Sequence, residues 1–375
     1  MMNQYFATVA RGLEELAAQE LTELGAKKVT PTFTGVEFQG DQKLLYQVNL
    51  WSRIIFRVLV PIMKFPCQNS EELYEGVQEI NWDHYLSPEE TLAVHCTGKN
   101  EQLNHSHFSA LQVKNAIADQ QRDHFGQRSN VDVESPDLII NLHIETTHAI
   151  LSLDSTGDSL HRRGYRPAMG TAPLKETFAS ALLAMTDWET DLPLLDPMCG
   201  SGTFPIEAGL KALKIAPGSF RKTFAFEKWS DFNRELWEQV KTEARQQELS
   251  TLPAGIYGRD RAWEMLEQAQ VNVENAGLDN HINFTRMELS QLEPPSDQGI
   301  IICNPPYGKR LGEVKELGHL YKELGDIFKQ RFKGWIAYVL SGNKELTKKI
   351  GLRTSKRIPV YNGSLPCTLL RYELF

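Results

Sequence analysis

The apolar run Ile300-Ile301-Ile302-Cys303 leads straight into Asn304-Pro305-Pro306-Tyr307-Gly308. Two prolines cannot continue a sheet, so the chain must leave this strand on a stiff backbone that holds Asn304 still and displays Tyr307. Asn304 Oδ1 and the Pro305 carbonyl can then accept both hydrogens of one exocyclic amine. Drawing the N–H bonds toward these acceptors holds the nitrogen lone pair toward an electrophile, while Tyr307 stacks on the base that carries the amine.

A second group of residues suits a small ligand. Leu194-Leu195-Asp196-Pro197-Met198-Cys199-Gly200-Ser201-Gly202-Thr203-Phe204 reads as an apolar strand, a glycine loop and the start of a helix. Gly200 and Gly202 let the backbone turn tightly against a ligand, and the helix start supplies unpaired N–H groups. A dinucleotide site would need a third glycine three residues further on, and position 205 is Pro. Downstream, Gly258-Arg259-Asp260 ends another strand, where the Asp260 carboxylate can accept both hydroxyls of an adenosine ribose. Glu288, after Phe284-Thr285-Arg286-Met287, falls at the end of a third strand, near an adenine amino group. One such carboxylate would read as a strand-end cap, whereas three at successive strand ends of one sheet read as a binding cleft.

The elements that must position these residues divide along the chain. At 375 residues, with 41% apolar and 23% charged side chains, the protein exceeds a single core and has the composition of an ordinary globular chain. Residues 1–65 read as a small α+β unit: a strand at 5–9, a helix from Leu13 to Leu24, a strand near Val36 and Phe38, a helix at 44–50 and a strand at 54–60. Pro61 and Pro66 mark a seam. Residues 66–155 form a second α+β module, with helices at 70–79 and 106–124 and strands at 91–97, 138–145 and 148–154. A basic connector, 156–168, contains His161-Arg162-Arg163-Gly164-Tyr165-Arg166. From 169 to 375 strands alternate with longer helices, the pattern of a doubly wound, mostly parallel α/β sheet, with a polar helical insertion at about 215–250.

Net charge is −8, unevenly spread: residues 1–168 hold 14 Lys and Arg against 22 Asp and Glu, and residues 305–375 hold 14 against 6. The basic C-terminal stretch is either a phosphate-facing surface or ordinary lysine-rich helix faces. Five cysteines without C-x-x-C spacing argue against a disulfide framework, a zinc knuckle or a redox pair. No apolar run is long enough to cross a bilayer and the opening residues lack a leader pattern, so a cytoplasmic protein is expected. His105 and His107, two residues apart, cannot share a helix face, and no metal is expected there. Trp229 and Trp237 read as packing of the insertion.

D-P-x-C-G-S-G-T followed about a hundred residues later by N-P-P-Y-G resembles the class I S-adenosylmethionine-dependent amino-methyltransferases. The connector, with Ala172-Pro173-Leu174-Lys175-Glu176-Thr177, is similar to that of THUMP-containing RNA guanine-N2 methyltransferases of the bacterial large-subunit ribosomal RNA group. The resemblance covers the whole chain and implies a ferredoxin-like unit at 1–65, a THUMP domain at 66–155 and a Rossmann-like methyltransferase domain from 169. It assigns Asp196, Cys199, Gly200, Gly202 and Thr203 to the methionine end of S-adenosylmethionine, Asp260 to its ribose and Glu288, where the family more often has Asp, to its adenine. Asn304, Pro305, Pro306 and Tyr307 would hold the target base. Arg162, Arg163 and Arg166, with Lys309 and Arg310, would line a path for RNA phosphates. Adenine N6 in DNA suits the same acceptors, and a non-catalytic ribosome-assembly protein could keep the fold. The N-terminal modules favour RNA, and the intact glycine loop favours an enzyme.

Overall fold

Tyr5, Ala7, Val36 and Phe38 alternate along two neighbouring strands and are each no more than 1% exposed, the signature of a sheet with one face on a core. The computed structural model describes residues 2–167, 174–307 and 311–375, with backbone alone for 311–316. The first part of the chain forms β1 (Asn3–Thr8), α1 (Glu14–Glu23), β2 (Lys27–Thr32), β3 (Gly35–Gly40), α2 (Gln42–Trp51), β4 (Arg57–Pro66), α3 (Ser70–Gln78), β5 (Thr91–Gly98), α4 (Ser106–Phe125), β6 (Asn130–Val131), β7 (Leu138–Ile144) and β8 (His148–Asp154).

These strands make a single eight-stranded sheet in the order β2-β3-β1-β4-β8-β7-β5-β6. The expected seam at Pro61 and Pro66 therefore falls inside a shared strand. β4 pairs with β1 through Arg57–Leu59 and with β8 through Leu59–Pro66. Its register shifts between Pro61 and Met63, a bulge at the site where proline cannot donate to the ladder. β2 went unread in the sequence because its KKVTPT is polar and carries Pro31, which is tolerated on an edge strand.

The second part forms α5 (Glu176–Ala184), β9 (Leu194–Asp196), α6 (Thr203–Ala212), α7 (Arg234–Arg245), β10 (Ile256–Asp260), α8 (Trp263–Asn275), β11 (Ile282–Arg286), β12 (Ile300–Cys303), α9 (Leu311–Arg331), β13 (Ile336–Ser341), α10 (Lys344–Lys349), β14 (Lys356–Asn362) and β15 (Leu365–Glu373). Its sheet runs β11-β10-β9-β12-β13-β15-β14. The first five strands are parallel, and β15 is antiparallel to both β13 and β14. The chain starts at β9 and moves outward to β10 and β11 before returning to β12, so the strand order reverses beside β9. Ligand clefts of doubly wound folds open at that point, beyond the carboxyl ends of the strands.

The first module, residues 3–58, shares a hydrophobic core with the second part, while α3, α4, β5, β7 and β8 pack around a core of their own. Leu45, Tyr46 and Val48 of α2 belong to the same buried cluster as Phe224, Phe226 and Trp237 of the insertion and Leu194 of β9. Tyr46 stacks on Phe226 at 4.5 Å and meets Trp237 edge-on at 5.8 Å, so the insertion is the packing layer between the modules.

Candidate functional site

The parallel register brings the motifs together. Gly258 of β10 lies beside Asp196 of β9, Asp260 lies beside Arg286 of β11, and Ile301 of β12 lies beside Leu195. Asp196, Asp260, Glu288 and Asn304 thus all lie at or just beyond the carboxyl ends of four adjacent strands. The Met287 N–H donates to the Asp260 carbonyl at 2.9 Å, which holds the segment carrying Glu288 against the end of β10.

The loop between β9 and α6 has Gly200 at φ +54° and Gly202 at φ +82°, left-handed conformations that disfavour other residues. A Cβ on Gly202 would also stand 2.8 Å from the Phe284 ring. Asp260 closes this loop: one carboxylate oxygen accepts the Gly200 N–H at 2.9 Å and the other accepts the Ala262 N–H at 2.9 Å. Asp196 lies underneath, 2% exposed, with Oδ1 accepting the Met198 N–H at 3.0 Å. Burial, reinforced by the charge of Asp260, pushes the Asp196 carboxyl well above the usual carboxylate range. The Cys199 thiol is buried and likewise pushed up, so it is no activated thiolate. Thr203 Oγ1 accepts from Arg166, and α6 has no side-chain cap, which leaves first-turn N–H groups for a ligand. These backbone donors and the half-buried Asp260 carboxylate suit the amino acid and ribose parts of S-adenosylmethionine, and the exposed Glu288 carboxylate suits its adenine amino group.

At the end of β12, Asn304 Oδ1 is buried and has no hydrogen-bond partner among the described residues. Pro305 is buried and Pro306 exposed. Tyr307 is less exposed than its position after two prolines suggests: it is half-buried and held from two sides. Asn362 Nδ2 donates to its hydroxyl at 3.3 Å and Asn343 Nδ2 to its carbonyl at 3.5 Å. Burial raises the tyrosine pKa, so the hydroxyl stays protonated. Neither asparagine was singled out in the sequence. Asn343 caps α10, accepting the Glu345 N–H at 3.0 Å, and Asn362-Gly363 opens the two-residue turn between β14 and β15, so each reads locally as punctuation.

Two residues expected on an RNA path are corrected. Arg163 is 2% exposed, donating to Glu207 Oε2 at 3.3 Å and to the carbonyls of Ser52, Arg53 and Leu160 at 3.1, 2.6 and 3.0 Å. Glu207 also accepts from Tyr165 at 3.0 Å and Ser180 at 2.5 Å. Arg166 pairs with Glu176 at 3.1 Å, both side chains 6% exposed. These guanidiniums are committed to the protein, because leaving a buried carboxylate uncompensated costs more than an exposed phosphate contact returns. Arg162 remains accessible, paired at 3.3 Å with the exposed Asp158. Lys309 and Arg310 lie outside the described residues, as do Gly308, Ala172 and Pro173. Among the described residues no cluster of His, Cys, Asp and Glu could hold a metal ion, and no helix is long and apolar enough to cross a membrane.

A reversed-order parallel sheet with a glycine loop at its switch point and an amide at the end of the next strand defines the SAM-dependent class I methyltransferase fold. Residues 163–371 match the RMKL-like methyltransferase domain, residues 67–154 the THUMP domain and residues 4–59 the RlmL ferredoxin-like domain. The chain belongs to the RMKL-like methyltransferase family. It is 58% identical over 371 residues, 99% of this chain and 97% of the relative, to slr0064 of Synechocystis sp., provisionally named an RNA methyltransferase. It is 44% identical to ribosomal RNA large subunit methyltransferase K/L of Syntrophotalea carbinolica, over 99% of this chain and 53% of the relative. The chain thus spans about half the length of the K/L relatives. The crystal structure of SMU.472 complexed with SAH, provisionally named a methyltransferase, matches with a TM-score of 0.90 and 31% identity over 100% of this chain and 98% of that one.

Proposed function

We propose that this protein transfers a methyl group from S-adenosylmethionine to the N2 amine of a guanine in large-subunit ribosomal RNA. The observation that carries the proposal is the orphaned Asn304 Oδ1: a buried acceptor without a donor is costly, and an incoming exocyclic amine supplies one. Asn304 and the Pro305 carbonyl would take the two N–H bonds and orient the nitrogen lone pair, with Tyr307 beneath the base. Asn362 and Asn343 hold the tyrosine in place. The glycine loop, braced by Asp260, would receive the amino acid end of the cofactor, and Asp260 and Glu288 its ribose and adenine. The cofactor, when bound, supplies the electrophilic methyl carbon.

The THUMP match and the names of the relatives favour RNA over DNA; guanine over adenine rests on the resemblance carried by the connector, since the two acceptors serve either amine equally. Incubating the full chain and S-adenosylmethionine with ribosomal RNA from a strain lacking the gene, and in parallel with unmethylated DNA, then digesting to nucleosides for mass spectrometry, tests both points. N2-methylguanosine is the expected product. N6-methyladenosine from DNA, with RNA untouched, would replace this reading.

A further inference from the structure

Between the THUMP module, the connector and the insertion lies a cavity of about 850 Å³ that the site above does not use. His95, Ser135 and Ile139 form its THUMP side, residues 157–166 its floor, and Phe220–Lys228 of the insertion its far wall. Six cations beyond the committed Arg163 and Arg166 line it: Arg57, Arg162, Lys175, Arg221, Lys222 and Lys228. The lining carboxylates are Glu134, Asp158 and Glu176, and Glu176 is taken by Arg166.

Arg57, Arg162 and Lys228 pair with Asp154, Asp158 and Asp137, and the other three have no carboxylate partner among the described residues. Arg221 donates only to carbonyls, those of Thr156, Asp158, Ser159 and Arg162 at 3.1, 2.7, 3.3 and 2.9 Å, and its Nε is buried without a partner among the described residues. Lys175 extends over the Phe56 ring at 5.3 Å and Lys222 is exposed. His161, inside the cavity, is pushed down to about 4 by burial and then by Lys175, Arg162, Arg163 and Arg57, which reports a positive local field. Arg166, which lines the cavity, also bonds Thr203 in the first turn of α6, which links the cavity floor to the helix that follows the glycine loop. Val133, 77% exposed, adds an apolar surface to the lining on which a base can rest.

From this arrangement we infer that the cavity is a binding channel for the sugar-phosphate backbone of single-stranded RNA, with Lys175 and Lys222 as its phosphate contacts. The inference rests on the RNA reading above and gives the insertion a role: its Phe220–Lys228 wall completes the channel. Lys228 fastens that wall to the THUMP module through Asp137 at 3.3 Å and the Pro136 carbonyl at 2.9 Å. Cations spread over three segments suit a chain of phosphates better than one free phosphate, which needs donors converging on a point.

The test uses the full chain, a fluorescent oligouridylate and a salt titration. Lys175→Ala with Lys222→Ala should weaken oligouridylate binding and flatten the slope of log affinity against log salt by about 1.4, at ~0.7 per phosphate on a single strand. SAH binding by calorimetry and the unfolding temperature should match the parent. Lys322→Ala with Lys348→Ala, exposed cations on α9 and α10, should leave the slope unchanged. An unaltered slope in the folded Lys175/Lys222 variant overturns the channel while leaving the enzymatic reading intact if that variant still methylates RNA. A parent that binds no oligouridylate, or one in which inorganic phosphate at matched ionic strength displaces it stoichiometrically, overturns the channel as well.

Discussion

An acceptor that is buried and unpartnered costs free energy until its donor arrives, roughly 1–3 kcal/mol, and Asn304 holds that state at the end of β12. Asn304→Ala should therefore bind SAH like the parent but lose about 10²-fold or more in kcat, the scale of removing one preorganised polar contact to a reacting group. Single-turnover methylation beside SAH calorimetry checks it; loss of both together would move Asn304 into the cofactor site. Asp260→Ala should behave in the opposite way. It strips acceptors from the Gly200 and Ala262 N–H groups, so SAH affinity should fall by about 1–3 kcal/mol before any effect on a saturated rate. Asn362→Ala frees the Tyr307 hydroxyl and should raise KM for RNA while sparing SAH affinity, because it touches the platform and not the loop.

At the scale of elements, the connector between β8 and α5 acts as a buried clamp. Arg163 ties the end of α2 to Glu207 of α6, and Arg53 reaches the Ile215 carbonyl at 2.8 Å alongside it. Arg163→Met leaves Glu207 without its cation and should cost about 3–5 kcal/mol in denaturant unfolding. RNA affinity per folded molecule should be unchanged. The same segment carries His161, whose folded pKa of about 4 lies below its ordinary 6.5. The unfolded chain takes up that proton first, so the neutral imidazole contributes stability above pH 6.5 that is lost as pH falls toward 4. The parent should lose stability relative to His161→Asn across that window, read from urea unfolding at several pH values; parallel curves would refute it.

At the scale of the whole molecule, α2, the insertion and β9 share one core, so the first N-terminal module is a structural part of the catalytic half, whereas the second keeps a core of its own. Sequence reasoning alone anticipates a separable catalytic domain. A chain lacking residues 1–155 should instead expose Phe224, Phe226 and Trp237, leave Arg163 without the Ser52 and Arg53 carbonyls, and aggregate. Gel filtration of the truncated chain decides it, and a stable monomer that binds SAH would restore the modular picture.

The sequence by itself determined the class of fold and the points at which the candidate site residues leave the sheet. Prolines after a β-run, glycines before a helix and carboxylates at strand ends are backbone-steric and positional signals that act within about ten residues, and they survive folding unchanged. Alternating strands and helices likewise announce a parallel sheet. Only the tertiary structure decided which arginines are free. Arg163 and Arg162 are neighbours of identical type, yet one is spent on groups 110 and 44 residues away in the chain and the other faces solvent. No local pattern encodes that difference, because burial is set by which distant elements pack on a residue. The same holds for the seam placed at Pro61. A proline ends a strand only where its missing N–H has no bulge to absorb it, and the pairing of β4 with both β1 and β8 supplies one.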